Sequence, residues 1–259
     1  MSETASPEPP APTRHETQSP EPPVPTEHLL AHRIVAVLEV LLCSDFVTQI
    51  AIGGTLTALG VRSHVGTRLN VAYVVALSLG DALLLILLIV VLLLVHGERP
   101  RDVLFGRRRV APELVLGLPL AFMALLLAGA VIATIRSVAP TLHTVPQNPL
   151  QDLLRSPRDA WLFALVVLVA GGLREEIQRA FLLHRFEVWL GGPLVGLTVT
   201  SVGFGAGHLL QGIDASITTG LLGAFWGYVY LRRRSAAAPI VSHSGFDLVQ
   251  VLPFLVGRG

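Results

Sequence analysis

The feature that most constrains this chain is a cluster of charged side chains inside an apolar run. Two glutamates and two arginines lie within GGLREEIQRAF, residues 171–181, and the surrounding run from Trp161 to Leu183 is otherwise mostly apolar. A single charged residue at the centre of a membrane helix costs roughly 2.5–3.5 kcal/mol on insertion scales. We therefore interpret the cluster as a functional site that faces the interior of a helical bundle.

The composition supports a membrane location. Of the 259 residues, 52% are hydrophobic and only 14% are charged, and the mean hydropathy is +0.64. Soluble domains carry about 25% charged residues, so the sequence predicts an integral, polytopic membrane protein. Cys43 is the one cysteine, which excludes an internal disulfide and a site built from several cysteines.

The apolar runs predict an all-α bundle of about seven transmembrane helices, because about 20 apolar residues span the hydrocarbon core. The proline-rich residues 1–32 are expected to form a disordered tail, and residues 33–259 the membrane-embedded domain. The sequence leaves undecided whether there is an eighth helix or a re-entrant segment near 138–158. The predicted helices are 33–60, 71–96, 110–137, 159–185, 194–211, 214–231 and 239–256.

The distribution of arginines predicts the orientation. Loops 97–109 and 232–234 hold five and three arginines, and in a bundle of seven helices both loops lie on the same side. The positive-inside rule makes that side cytoplasmic. We therefore expect a cytoplasmic N-terminus, a C-terminus on the opposite side, and a location in the plasma (inner) membrane.

Three clusters of residues could carry chemistry, and the first is the charged stretch itself. Glu175 and Arg179 are four residues apart and Glu176 and Arg179 three, so the arginine can pair with either glutamate on a helix. Adjacent residues differ by about 100° around a helix, so the two carboxylates point in different directions. One glutamate would then remain free for another role.

The other two clusters contain histidines. Phe204 and His208 are four residues apart in the fifth predicted helix, among small residues that allow a neighbouring helix to come close. His243 and Asp247 are four residues apart in the seventh, and therefore share one helix face. Asp247 could orient His243 by accepting its ring N–H, or both could point into a shared cavity.

These residue types favour amide hydrolysis by an activated water. A glutamate in a site with little water can act as a general base, a histidine can hold the water, and the His243–Asp247 pair can stabilise an oxyanion. His208, His243 and Glu175 also match the ligands of a catalytic zinc site with an open position for water. The sequence leaves both mechanisms open, with either Zn²⁺ or no cofactor.

The three clusters resemble the CPBP family of intramembrane metalloproteases, which includes the CAAX prenyl endopeptidases and abortive-infection proteins. The family pattern is Glu-Glu-x-x-x-Arg, then Phe-x-x-x-His, then His-x-x-x-Asn or Asp, on successive helices. Residues 204–208 and 243–247 match the second and third motifs as written. The first motif departs from the pattern, because the arginine stands at position 179 and Ala180 occupies the family's arginine position.

This resemblance implies an enzyme, a CPBP-type intramembrane endopeptidase. One glutamate of the pair would activate water together with His208, while His243 and Asp247 would bind the oxyanion or orient the substrate carbonyl, with Arg179 and Phe204 in support. The implied partners are the lipid bilayer and a membrane-anchored peptide or protein substrate, with no nucleic acid. The alternatives are an inactive scaffold or chaperone on the same fold, which the displaced arginine raises, and a small transporter.

The predicted boundaries leave one geometric conflict. Glu175 lies about 10 residues, or about 15 Å, from the cytoplasmic end of the fourth helix. His208 lies about 15 residues, or about 22 Å, from the cytoplasmic start of the fifth helix. The two side chains can meet only if the fourth helix starts lower, the fifth helix is tilted, or residues 186–193 dip into the membrane.

Overall fold

The computed structural model describes residues 26–66 and 68–256. The regular structure of this part of the chain is helical apart from one short antiparallel hairpin, β1 (His64–Val65) and β2 (Arg68–Leu69). A π-helical segment (Val167–Arg174) joins two of the α-helices, and short 3-10 turns occupy Pro140–Leu142, Pro149–Leu153 and Leu209–Gln211. The α-helices are α1 (Thr26–Leu42), α2 (Phe46–Ala58), α3 (Val71–Val95), α4 (Pro100–Leu104), α5 (Val110–Val138), α6 (Pro157–Val166), α7 (Glu175–Trp189), α8 (Pro193–Gly207), α9 (Ile213–Arg233) and α10 (Ala237–Leu255).

The all-α class is confirmed, whereas the count of about seven spans is not. Among the described residues, α3 and α5 are long and apolar enough to cross a membrane, and α1 with α2 makes a third span if the bent pair counts as one. The other helices are shorter or less apolar, since several carry the charged residues of the site. Large apolar side chains remain exposed on many helices, as expected for an integral membrane protein in contact with lipid.

The predicted single helix at 33–60 is wrong, because the chain breaks between α1 and α2. The two helices are bent by 43° at this break, and Asp45 has a backbone φ of 68°. The break turns the Asp45 carboxylate toward Arg174, at 2.5 Å from its guanidinium. Helix α1 begins at Thr26, before the predicted boundary at residue 33, and residues 1–25 of the predicted tail lie outside the described residues.

One continuous helical stretch, formed by α6, the π segment and α7, corresponds to the predicted helix 159–185. The Ser156 side chain caps α6 by accepting a hydrogen bond from the Asp159 backbone N–H, at 3.2 Å. The stretch ends at Trp189, four residues beyond the predicted end, and the turn that follows uses Gly191 and Gly192, each with φ of 97°. Such positive φ values favour glycine, which explains the Gly-Gly-Pro sequence at this turn.

Helices α7 and α8 form an antiparallel hairpin of equal arms, which removes the geometric conflict. Each helix has 15 residues and is therefore about 22 Å long. Glu175 is the first residue of α7, and His208 directly follows the last residue of α8. Both residues consequently lie at the same distance from the turn that joins the helices.

Helix α10 lies at the centre of the bundle, packed against α5 and the π segment. Close approach depends on glycines that face it. A Cβ on Gly117 of α5 would lie 2.4 Å from the Val241 Cβ, and a Cβ on Gly172 would lie 1.8 Å from the Ser244 Oγ. These contacts set the position of the His243-Ser244-Gly245-Phe246-Asp247 segment against the charged stretch.

A network of charged side chains joins three parts of the chain: helix α1, helix α7 and the loop that follows α3. It lies toward the turn of the α7–α8 hairpin, away from Glu175 and His208. Glu98 accepts hydrogen bonds from His184 and Arg185, both at 2.5 Å, and Arg185 also donates to Glu39 at 2.5 Å. Partial burial disfavours the Glu98 carboxylate, but the bonds from His184 and Arg185 outweigh it and lower the pKa of Glu98 below its ordinary value.

Replacing Gly172 with alanine should destabilise the bundle. The added Cβ would also lie 2.9 Å from the Ser244 Cα, so α10 must move away from the π segment. We expect the free energy of unfolding in detergent to fall by about 1–3 kcal/mol. Gly203→Ala is the matched control, because a Cβ there meets nothing within 4 Å. An equal loss in both variants would contradict the packing argument.

The Glu98 network should make stability depend on pH. Because the folded-state pKa of Glu98 is lowered, its stabilising effect is complete above the unfolded pKa of about 4.3 and is lost as the pH falls through the folded value. Unfolding in detergent, followed from roughly pH 6 to pH 3, should therefore show a shallower loss of stability in Glu98→Gln than in the wild type. The control is Asp102→Asn, an exposed carboxylate in the neighbouring helix α4, and its loss of stability with falling pH should match that of the wild type.

Candidate active site

Four of the five predicted catalytic residues line one cavity of about 450 Å³: Glu175, His208, His243 and Asp247. They come from the start of α7, the residue after α8 and the middle of α10. Phe204 also lines this cavity, and so does Trp226 of α9. The fifth predicted residue, Glu176, does not line it and lies behind the cavity wall, with 1% of its surface exposed.

One oxygen of the Glu176 carboxylate has two partners inside the protein. Its Oε1 accepts a hydrogen bond from the His243 Nδ1 at 2.8 Å and forms a close ion pair with the Arg179 guanidinium. The Arg179 Cζ lies 4.5 Å from the centroid of the Phe204 ring, which adds a cation–π contact. Of the two pairings that the sequence allowed for Arg179, the structure shows the one with Glu176, three residues away.

The displaced arginine still reaches the buried glutamate. Ala180, which holds the family's arginine position, is completely buried in an aliphatic cluster that includes Leu85 and Ile89 of α3. A charged side chain there would lie among apolar groups, which is costly. Arg179 points instead toward Glu176 and Phe204, so the ion pair is kept with the arginine one residue earlier.

His243 is held on three sides. Its ring stacks on Trp226, with 3.8 Å between the ring centroids and an interplanar angle of 17°. Because a carboxylate only accepts hydrogen bonds, the Nδ1 bonded to Glu176 carries a proton. The Nε2 faces the cavity, 3.8 Å from the Glu175 Oε2 and 3.6 Å from the Asp247 Oδ2.

Glu175 is oriented by a second arginine. The Arg174 guanidinium lies 3.4 Å from the Glu175 Oε1, which leaves the Oε2 turned toward His243. Arg174 is itself buried and paired with Asp45 at 2.5 Å, with Asp81 at 3.8 Å. Arg174 ends the π segment, and such segments often occur at functional sites.

His208 lies at a helix end, and not within the helix predicted at 194–211. Helix α8 ends at Gly207, and a 3-10 turn follows at Leu209–Gln211. The His208 Nδ1 donates to the Phe204 carbonyl oxygen at 2.8 Å. In a neutral ring the Nε2 is then unprotonated and can accept a hydrogen bond. The Phe204 ring contacts both His208 and His243, at centroid distances of 4.9 Å and 5.9 Å.

The three candidate zinc ligands do not form a metal site in this arrangement. Within residues 26–66 and 68–256, no group of three or more His, Cys, Asp or Glu side chains is placed to hold a metal ion. His243 uses one ring nitrogen for Glu176 and turns the other toward the carboxylates of Glu175 and Asp247.

Sequence reasoning missed four parts of the site. Asp45 and Trp226 lie far from the motifs in sequence, and nothing in their local pattern signals a contact with Arg174 or His243. Arg174 itself stands next to Glu175, and this adjacency was a signal that could have been used. The Gly171–Gly172 pair was visible as well, and both glycines lie where a Cβ would collide with α10.

Comparison with known families agrees with the motifs. Residues 157–249 match the family model for Rce1-like type II CAAX prenyl endopeptidases. The matched segment begins at α6 and ends within α10, so it contains the charged stretch and both histidine motifs. The resemblance to CPBP proteins is thereby confirmed. No curated protein and no solved structure matches the chain.

Breaking the Glu176–Arg179 pair from one side should be more harmful than removing both charges. Arg179→Met leaves a buried carboxylate with a single partner, and we expect a loss of about 3–5 kcal/mol in the free energy of unfolding. The double variant Arg179→Met/Glu176→Gln has no uncompensated charge and should be more stable than Arg179→Met. A double-mutant cycle measured by unfolding in detergent checks this, and additive effects would contradict a coupled pair.

Proposed function

We propose that this chain, in which residues 157–249 form a domain of the Rce1-like type II CAAX prenyl endopeptidase family, is an intramembrane endopeptidase. It hydrolyses a peptide bond of a membrane-anchored substrate with a water molecule that Glu175 activates. The observation that carries the proposal is the grouping of Glu175, His208, His243 and Asp247 around one cavity. The bundle around them supports a reaction within the membrane region.

In the proposed reaction, Glu175 is the general base. Its Oε2 is turned into the cavity, where it can take a proton from a water molecule. His208 positions the same water by accepting its other hydrogen at Nε2, because its Nδ1 proton is used by the Phe204 carbonyl. The oxygen then attacks the carbonyl carbon of the scissile peptide bond, and a tetrahedral intermediate forms.

His243 stabilises the oxyanion of this intermediate. With Nδ1–H donated to Glu176, a protonated Nε2 presents an N–H toward the cavity. The Asp247 Oδ2, 3.6 Å from this Nε2, orients the ring from the cavity side, as Glu176 does through the Nδ1. When the intermediate collapses, the C–N bond breaks and Glu175 returns its proton to the leaving amine.

The geometry favours Glu175 over Glu176 as the base. A general base needs access to water and substrate, and Glu175 lines the cavity whereas Glu176 does not. Glu176 is occupied by Arg179 and His243, so we assign it a positioning role through His243. Arg179 and Phe204 support the same arrangement by packing against each other.

The inactive scaffold and the transporter gain no specific support. The scaffold hypothesis depended on the displaced arginine, and the contact between Arg179 and Glu176 weakens that objection. As part of the proposal, the chain resides in the plasma (inner) membrane as a bundle of about seven spans with a cytoplasmic N-terminus. Its partners are lipid and a membrane-anchored peptide or protein.

Removing the proposed base should abolish turnover and preserve the fold. In proteoliposomes with a lipid-anchored quenched-fluorescence peptide library, Glu175→Gln should lower the cleavage rate by about 100- to 10,000-fold. His208→Ala should lower it as well, because the water loses its second partner. The melting temperature of Glu175→Gln should match the wild type, since the contacts of Glu175 are long, 3.4 Å to Arg174 and 3.8 Å to the His243 Nε2.

Glu187→Gln is the matched control for this experiment. It makes the same change of charge on the same helix, at the end that pairs with Arg234 away from the cavity. Cleavage by this variant should equal that of the wild type. Full activity in Glu175→Gln would rule out the proposed role of Glu175.

A further inference from the structure

We propose that a second cavity in the bundle binds the headgroup of a phospholipid that carries a primary ammonium group, as in phosphatidylethanolamine. This cavity has a volume of about 490 Å³ and is lined by α1, the connection after α3 and the end of α7. Within the described part of the chain, it shares no lining residue with the catalytic cavity. The lipid site therefore stands apart from the proposed protease function.

The buried side of this cavity holds an arginine with one unfilled donor. Arg185 is 1% exposed, and it donates from its Nε to Glu39 and from its Nη1 to Glu98, both at 2.5 Å. Its guanidinium also packs over the Phe181 ring, 4.7 Å from the centroid. The Nη2 is buried and has no hydrogen-bond partner among the described residues. Because a buried charged donor without an acceptor is costly, this nitrogen favours a ligand with an acceptor oxygen.

The two carboxylates beside Arg185 can accept further hydrogen bonds. The His96 Nε2 lies 2.7 Å from the Glu39 Oε1, and the His184 Nε2 lies 2.5 Å from the Glu98 Oε1, so each carboxylate oxygen has one partner. A carboxylate oxygen has two lone pairs and can accept a second bond. The Glu98 side chain is 25% exposed and that of Glu39 is 6% exposed, so Glu98 is the more accessible acceptor.

The charges of the cavity select a headgroup that carries both signs. With neutral histidines, Glu39, Glu98 and Arg185 leave an excess of one negative charge, which disfavours a ligand that is only an anion. Phosphoethanolamine joins a phosphate to an ammonium group through two carbons. Its phosphate would accept from the Arg185 Nη2, since a guanidinium suits phosphate oxygens, and its ammonium would donate to the neighbouring Glu98.

The surroundings of the cavity favour a lipid over a soluble ligand. His96 directly follows α3, which is apolar and long enough to cross a membrane, so this end of the cavity lies at the membrane boundary. Trp189 ends α7 and stacks on His32 at a centroid distance of 4.7 Å, and tryptophan is enriched at this boundary. Val35 and Val188 line the cavity and are 41% and 46% exposed. Acyl chains would cover these valines, whereas a soluble headgroup would leave them uncovered.

Adding lipids to the detergent-purified full chain tests the recognition of the headgroup. Phosphatidylethanolamine should raise the melting temperature by about 5–10 °C at about a hundredfold excess over its Kd, because a ligand of the folded state stabilises that state. Phosphatidylcholine has the same charges without an N–H donor, and phosphatidylglycerol has no ammonium group, so both should produce smaller shifts. Equal shifts with the three lipids would overturn the proposal.

Soluble O-phosphoethanolamine separates the two sources of this headgroup. It presents the same phosphate and ammonium group without acyl chains, and we expect no shift in the melting temperature. A shift as large as that with phosphatidylethanolamine would overturn the assignment to a membrane lipid.

Two variants that fill the opening test its location. Val35→Trp and Val188→Trp add bulk from α1 and from α7 without a change of charge, and each should lose the shift with phosphatidylethanolamine. Val37→Trp is the matched control, because Val37 is a 45% exposed valine of α1 that does not line the cavity, and this variant should keep the shift. A full shift in a folded Val35→Trp or Val188→Trp protein would overturn the proposed site. The comparison of lipids on the wild type decides the proposal if neither variant folds.

Discussion

The buried contact among Glu176, Arg179 and His243 is the interaction on which the rest of this structure depends. Charges away from water are costly unless each has a partner, and here one carboxylate is shared by a guanidinium and a ring N–H. Because Arg179 and Glu176 belong to α7 and His243 to α10, the same contact fixes the spacing of the two helices. It also fixes which nitrogen of His243 faces the cavity.

Two adjacent glutamates have different environments because a helix turns them about 100° apart. Glu176 points inward and is occupied, whereas Glu175 borders the cavity and contacts Arg174 through one oxygen only. Arg174 is held by Asp45, whose position depends on the break between α1 and α2. The orientation of the proposed base is therefore linked to a helix that lies more than a hundred residues earlier in the chain.

The length of the α7–α8 hairpin sets where chemistry can occur. Two arms of 15 residues place Glu175 and His208 together at one end, while the turn between the arms lies at the other end, near the Glu187–Arg234 pair. Phe204 fills the space between His208 and His243, and the stacked Trp226 closes the cavity behind His243. The cavity therefore lies at the end of the hairpin opposite the turn at 190–192.

The sequence by itself determined the helical class, the family resemblance of residues 157–249 and four residues that line the cavity, Glu175, His208, His243 and Asp247, because hydropathy and motif spacing are local properties. It left undecided which glutamate faces the cavity and which one Arg179 contacts. It misjudged the first helix and the ends of the fourth and fifth, because a break such as that at Asp45 is stabilised by Arg174, a distant partner. Only the tertiary structure decided these points, since burial and pairing depend on which helices pack together.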